Sequence, residues 1–347
     1  MSEPMKASLN KEAGVQQTGL ILTCIERQDI ARDFVTFWFT SHPSVVNYLP
    51  GQFVAIDFSV NDKVETRYYT LSSSPSRPDK LGVSVKRVDR GLISNWMLEN
   101  IKVGDELKAR IPEGSFYLEH TDKPLLFLSA GSGITPMLSM IRYLADKKQL
   151  DDVIFYHQCR TEADIPCRDE LTSLSNQYSG LKILWSLTQP QSSWYGIKGR
   201  LSLSHIKQIE NVTQRDVFVC GPEGFMQKAK ALLLKKGLPE DRYHEENFSV
   251  SVTNQDTDKS IELSINGVTF TGNNKETLLE QAEAHGVDVV NSCRAGFCGA
   301  CCMDVVSGEF VQAEVPALSA LRKDYPDDNL VLACCCVPAT DMKVENK

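Results

Sequence analysis

Apolar and polar residues alternate with a period of two along residues 18–120, in runs at 19–27, 33–39, 52–58, 67–72, 80–88 and 106–111. Glycine, proline and other turn-forming residues separate the runs, and only 94–99 reads as a helix. Many short alternating strands with such punctuation predict an antiparallel β-barrel, each strand showing one face to a core and one to water. The pattern changes at Pro124. Four runs, 125–129, 153–157, 182–187 and 217–220, are apolar with little alternation, as strands buried on both faces must be. Helical stretches at 137–146, 168–174 and 224–236 are interleaved with them, which predicts an α/β unit on a parallel sheet. Residues 249–259 are polar and aperiodic and read as a linker. Two strands, a helix at 277–285 and a cysteine-rich loop follow. The expected domains are therefore 18–120, 121–248 and 260–347, preceded by a polar tail at 1–17.

Composition narrows the classes. A chain of 347 residues has room for two or three cores. Lys and Arg number 37 against 45 Asp and Glu, a net charge of −8 with no basic block, which argues against nucleic acid. The charge is uneven: residues 259–347 hold 13 acids and 7 bases, a net −6. An acidic face of this kind serves solubility, or steers a basic partner. The tail lacks the apolar core of a signal peptide, and no stretch approaches the ~18 apolar residues of a membrane span. Eleven cysteines in such a chain are expected in a reducing, cytoplasmic setting, as metal ligands rather than disulfides.

Cys293, Cys298 and Cys301 stand in the spacing C-x4-C-x2-C, and Cys334 follows. That is the pattern in which four thiolates hold a plant-type [2Fe–2S] cluster, a one-electron carrier. Gly296 and Gly299 fall between the loop cysteines, where backbone must come close to inorganic sulfur. A zinc site usually offers paired C-x2-C motifs and only one clean pair exists here, so zinc and free structural thiols stand as the lesser alternatives.

Two further constellations concern nucleotides. In Arg67-Tyr68-Tyr69-Thr70-Leu71-Ser72, strand geometry puts Arg67, Tyr69 and Leu71 on one face and Tyr68, Thr70 and Ser72 on the other. An arginine fork suits a phosphate and a tyrosine ring suits an isoalloxazine face. Gly91-Leu92-Ile93-Ser94 at a helix start offers amides to a phosphate, or is an ordinary N-cap. Gly131-Ser132-Gly133-Ile134-Thr135-Pro136 follows a buried strand, with Thr135 expected as N-cap and Pro136 as first helical residue. It is not the Rossmann fingerprint, because Pro136 replaces the third glycine and no acid ends the next strand. A second turn, Cys220-Gly221-Pro222, also follows a strand and opens a helix. Two such turns at strand C-termini predict one ligand crevice. The thiol of Cys220 at its rim is either functional or a small core group.

In this order, Arg67-x-Tyr69-Thr70 with Gly91-x-x-Ser94, Gly131-x-Gly133-x-Thr135-Pro136 with Cys220-Gly221-Pro222, and the cysteine set resemble the ferredoxin–NADP reductase superfamily fused to a C-terminal plant-type ferredoxin. The resemblance covers residues 18–347. Within it, the chain looks most like NADH oxidoreductases that serve the hybrid cluster protein; reductase components of Rieske-type oxygenases and demethylases share the architecture. The resemblance implies an antiparallel β-barrel flavin domain, an α/β parallel-sheet nicotinamide domain and an α+β (β-grasp) [2Fe–2S] ferredoxin domain. Electrons are then expected to run from NADH to FAD, to the cluster, to an acceptor protein, with FMN as the alternative flavin and a redox sensor as the alternative class. It implies that Arg67, Tyr69, Thr70, Leu71, Ser72, Lys86, Gly91 and Ser94 meet the flavin, and that Gly131, Gly133, Thr135, Pro136, Gly221 and Pro222 meet the dinucleotide. Cys220, Thr70, Glu246 and Phe248 would surround the reacting rings. Cys293, Cys298, Cys301 and Cys334 would ligate the cluster, Cys334 being selected over Cys335 and Cys336 by its distance from Pro338. After the third parallel strand, Ser186-Leu187-Thr188-Gln189-Pro190 carries no base to clamp a 2′-phosphate, so NADH is expected over NADPH, with Arg160 the cation that could reverse this.

Overall fold

The computed structural model describes residues 19–347, except 61–62, 90, 120–121, 249–253, 255–256, 292–293, 297, 314 and 327. The expected tail, most of the expected linker and Cys293 lie outside the described residues.

The first unit comprises β1 (Leu20–Ala31), β2 (Phe34–His42), β3 (Phe53–Val60), β4 (Lys63–Thr70), β5 (Leu81–Lys86), helix α1 (Leu92–Asn100) and β6 (Glu106–Ala109). Its strands run antiparallel in the order β4-β3-β6-β1-β2-β5. A bridge between Leu71 and Val83 brings the two edges together, so that the sheet closes as its alternation requires. Inward positions such as Leu22, Phe37, Phe39, Val54, Ile56 and Phe58 fill the interior, and Ile93, Met97 and Leu98 of α1 pack against the same core.

The second unit holds β7 (Leu125–Ala130), α2 (Ile134–Asp146), β8 (Val153–Cys159), α3 (Arg168–Gln177), β9 (Leu181–Leu187), β10 (Ile197–Lys198), α4 (Leu203–Ile206), β11 (Asp216–Cys220), α5 (Glu223–Lys235) and β12 (Tyr243–Glu246). All strands are parallel, in the order β10-β9-β8-β7-β11-β12. The chain steps outward from β7 through β8 to β9 and then returns to place β11 on the other side of β7. That reversal lies between β7 and β11, the position where open α/β sheets receive ligands. Separate cores cover the two faces of the sheet, one with α2 and α3 and the other with α4 and α5.

The third unit comprises β13 (Ser260–Ile265), β14 (Val268–Asn273), α6 (Leu278–Ala284), β15 (Cys302–Ser307), β16 (Phe310–Gln312), α7 (Pro316–Asp324), β17 (Leu330–Leu332), β18 (Cys336–Pro338) and β19 (Met342–Asn346). A mixed sheet β14-β13-β19-β15-β17 is accompanied by the pair β16-β18. Thr277 and Glu280 form a reciprocal capping box that starts α6, and α6 lays Leu278, Leu279 and Ala282 on the sheet core.

Barrel and parallel sheet are tied together by buried bonds. Phe34 of β2 sits in the core formed by α2 and β7. Arg142 of α2 is buried and donates to the Ser72 carbonyl at 2.7 Å while pairing with Glu170 of α3 at 2.6 Å. One turn earlier, the Ser139 hydroxyl donates to the Ser73 carbonyl at 2.7 Å. Arg32, just after β1, pairs with Asp164 at 2.6 Å.

Candidate functional site

A cavity of about 130 Å³ is lined by segments from all three units. Phe53, Tyr68, Tyr69, Thr70 and Ser84 come from the barrel, Ser132 and Thr135 from the turn after β7, Glu246, Asn247 and Phe248 from the end of β12, and Ala295 from the cysteine loop. β4 is an edge strand, so its exit can face a neighbour while Phe58 and Phe53 hold Tyr69 and Tyr68 edge-on at centroid distances of 6.2 and 5.3 Å. The Thr70 hydroxyl is buried without a hydrogen-bond partner among the described residues. A buried orphan hydroxyl aimed at a cavity is costly unless a ligand supplies the partner.

Other expected flavin residues fall into two sets. Arg67 lies beside Glu65 at 2.9 Å and Lys86 ends β5; neither lines the cavity. The Ser94 hydroxyl is buried and unpartnered, but α1 begins at Leu92 with Gly91 as N-cap, so Ser94 lies inside the first turn rather than at the helix start expected from sequence. A Cβ on Gly91 would stand 2.5 Å from the Ser94 Oγ, which explains glycine there. The side chains of Leu71 and Ser72 turn away from the cavity. Leu71 is a barrel-core residue, and the Ser72 hydroxyl is engaged with the Gly82 carbonyl at 3.2 Å and Ser84 Oγ at 2.7 Å. The expected alternation carries past the end of β4 at Thr70, since Tyr69 and Leu71 pack on the same barrel core while Tyr68 and Thr70 line the cavity.

The turn after β7 is a short 3-10 segment, Gly131–Gly133, leading directly into α2. Gly133 is the N-cap, so Thr135 and Pro136 sit two positions deeper than the cap and first position expected; the Thr135 hydroxyl donates back to the Ser132 carbonyl at 3.2 Å. Gly131 has φ +57°. A Cβ on Gly133 would lie 2.2 Å from the Cys220 carbonyl oxygen, a collision between backbones that neither can relieve. The two glycine turns are therefore pressed together, with Pro222 capping α5.

Strand register lines up a polar row that sequence reading missed. Glu246, Cys220, Ser129, His157 and Trp185 are consecutive partners across β12, β11, β7, β8 and β9. Ser129 Oγ and His157 Nδ1 are 2.8 Å apart and fully buried. Burial, with Lys86 adding repulsion, pushes the imidazole down to about 3, so His157 is neutral. Cys220 is fully buried and does not line the cavity; burial and the neighbouring Glu246 charge push its thiol well up. The carboxyl of Glu246 is pushed up to about 8 by burial alone, and its Oε2 has no partner among the described residues. It carries its proton at neutral pH, facing the cavity. No sequence spacing could bring these five together, since only the strand order does.

In the cysteine loop Arg294, Gly296 and Gly299 adopt positive φ, and a Cβ on Gly296 would meet Val315 at 2.7 Å. Cys298 is exposed and accepts the Ala300 amide at 3.5 Å. The buried sulfurs of Cys301 and Cys334 approach to 3.3 Å. A disulfide would need about 2.0 Å, whereas two sulfurs on one tetrahedral metal with ~2.3 Å bonds stand roughly 3.7 Å apart. Among the described residues no three metal-ligating side chains converge, Cys293 lying outside them. Cys302 starts β15 and Cys336 starts β18, each placed by strand pairing. Cys24, Cys159, Cys167, Cys220, Cys302, Cys334, Cys335 and Cys336 form no disulfide.

Comparison with known proteins adds three domain models along the chain. An oxidoreductase FAD-binding domain matches residues 22–117, an oxidoreductase NAD-binding domain 127–231, and a 2Fe-2S iron-sulfur cluster binding domain 261–339. The stachydrine N-demethylase reductase subunit of Rhizobium meliloti is 32% identical over 93% of this chain and 96% of its own length. The NADH oxidoreductase HCR of Escherichia coli is 31% identical over 85% of this chain and 88% of its own. Phthalate dioxygenase reductase superposes over 94% of this chain and 98% of that structure with a TM-score of 0.65; at 23% identity this likeness shows the fold.

Proposed function

This chain belongs to the ferredoxin–NADP reductase superfamily, in the branch with a C-terminal plant-type [2Fe–2S] domain, and from that premise we propose that it draws electrons from NADH and delivers them to a separate acceptor protein. The observation that carries this reading is the cavity shared by Thr70, Ser132, Thr135, Glu246 and Ala295, where barrel, parallel sheet and cysteine loop meet. A flavin bound there takes two electrons from a nicotinamide and releases them singly, the conversion that a one-electron cluster needs.

The residues fit these groups. Thr70 and Ser94 have buried hydroxyls with no partner among the described residues, and Tyr69 lines the cavity with an aromatic ring that suits a flavin face. Arg67, Lys86 and the Gly91–Ser94 turn are assigned to the flavin phosphates, and Leu71 and Ser72 to support from behind. Gly131, Gly133, Thr135, Pro136, Gly221 and Pro222 are assigned to the dinucleotide, where amides at the start of α2 face a pyrophosphate. Protonated Glu246 holds a proton at the cavity wall, and Phe248 covers its mouth. Cys220 acts as a small buried group that lets the two turns close up. Cys293, Cys298, Cys301 and Cys334 are assigned to the cluster, with the 3.3 Å approach of Cys301 and Cys334 in support. Domain limits follow the units, at 18–120, 121–248 and 260–347, with 249–259 as linker.

NADH is assigned over NADPH because Ser186–Pro190 offers no cation; Arg160 is exposed beside Gln189. An oxygenase or demethylase is favoured as acceptor, because the stachydrine N-demethylase reductase subunit matches the fuller length of both chains. The likeness to HCR supports a hybrid cluster protein as the second reading. A cytoplasmic location is assigned because a reducing setting keeps cysteines available as metal ligands; among the described residues no helix is long and apolar enough to cross a membrane. The test is the visible spectrum of purified protein with chromatography of released flavin. One FAD per chain is expected, and colourless protein contradicts the assignment.

A further inference from the structure

We propose that the thiol of Cys335 is a hydrogen-bond donor to the cluster ligand Cys334 and thereby raises the reduction potential of the [2Fe–2S] centre. This deepens the ligand assignment above and rests on it. Cys334 and Cys335 share a short 3-10 turn, Ala333–Cys335, wedged between the sheet and α6. Both are buried, and their sulfurs lie 3.4 Å apart. In the free chain either sulfur can be the donor. Loading the cluster removes that ambiguity. Ligation takes the protons from Cys301 and Cys334, so the Cys301–Cys334 contact becomes two thiolates on metal, and Cys334 can only accept. Of the two sulfurs shown in contact with Cys334, only that of Cys335 is not a ligand and so has a hydrogen to donate.

The setting favours a lasting interaction. The Cys335 carbonyl is held by the Ala313 amide at 3.1 Å, which fixes the turn. The side chain is fully buried in the apolar core of this unit, so water does not compete for it. The amide of Gly296 also points to the Cys334 sulfur. Cys334 thus receives one backbone and one side-chain donor. Negative charge on the ligand sulfurs grows when the cluster gains its electron. A donor therefore binds the reduced state more tightly than the oxidised state and shifts the potential upward. No bond is made or broken in this effect.

The test is an EPR-monitored redox titration of holoprotein carrying Cys335→Ala or Cys335→Ser, with iron and sulfide content determined in parallel. In the alanine variant cluster content and EPR g-values are expected to match wild type. Its electron-exchange equilibrium should fall about tenfold, equivalent to about 59 mV downward for one electron. Serine keeps a donor, so its potential should stay at or above the wild-type value. An alanine variant at or above the wild-type potential overturns the proposal. Loss of the cluster from Cys335→Ala, with retention in Cys334→Ser, instead overturns the ligand assignment. Should the alanine chain fail to fold, the serine variant alone decides, and a potential below wild type contradicts the proposal.

Discussion

Glu246 carries a proton where most glutamates carry a charge, and the cause is desolvation against the end of a buried parallel sheet. The folded chain binds this proton more tightly than the unfolded chain. The stability so contributed is fully present below about 4.5 and is lost as pH rises through about 8. Glu246→Gln should abolish this dependence. Thermal unfolding across that window should show wild type losing stability relative to the glutamine variant, by a few kcal/mol at most; parallel curves would contradict it. Single residues were unevenly legible in the sequence. The glycines at 131 and 133 announced their turn because φ +57° favours glycine and because no side chain fits where backbone lies 2.2 Å from the Cβ position. Leu71 shares the barrel-core face with Tyr69 as alternation predicts, but a shared face does not tell which residues border the cavity. Ser129 and His157 gave no signal: two polar residues in apolar runs declare themselves a pair only once β7 and β8 are set side by side.

At the scale of elements, α2 is the part on which the geometry depends. The Gly131–Gly133 segment leads into its first turn, and its second and third turns hold the barrel through Ser139 and Arg142. One rigid helix therefore sets the spacing between the Thr70 end of β4 and the dinucleotide crevice. Arg142→Ala leaves the Ser72 carbonyl and Glu170 without their cation. Because Glu170 is partly open to water, the expected loss is about 3 kcal/mol, at the low end for a buried pair. Arg142→Lys should recover part of it, since one ammonium can satisfy only some of the partners. Denaturant unfolding measures both, and an alanine variant as stable as wild type would refute the role. The strands of barrel and parallel sheet were legible to within a few residues because burial on one face or two writes a clear pattern. β12 and α7 were not: a strand of 4 residues at a sheet edge and a helix of 9 opened by proline leave too short a periodicity.

On the scale of the whole molecule, three units meet at one cavity while most of the excess negative charge sits on the last, at −6 of −8. This arrangement separates hydride chemistry, which needs only the first two units, from delivery to a partner. Exposed charges are screened beyond roughly 8–10 Å at physiological ionic strength, so reduction of the partner protein should slow with added salt while dye reduction by NADH does not. Stopped-flow association rates at increasing salt check this, and a salt-independent partner reaction would remove steering from the account. The order of units was readable from the sequence because each leaves its own pattern; their convergence was not, since Ala295 and Thr70 are joined only in three dimensions. The central claim is that electrons leave through the cluster. Cys301→Ser removes one of the two sulfurs in contact while leaving both nucleotide sites whole. With NADH as donor, the variant should reduce a two-electron dye at close to the wild-type rate, whereas one-electron delivery to cytochrome c or to the partner protein should collapse. Partner reduction at the wild-type rate would make the flavin the donor and the cluster a bystander.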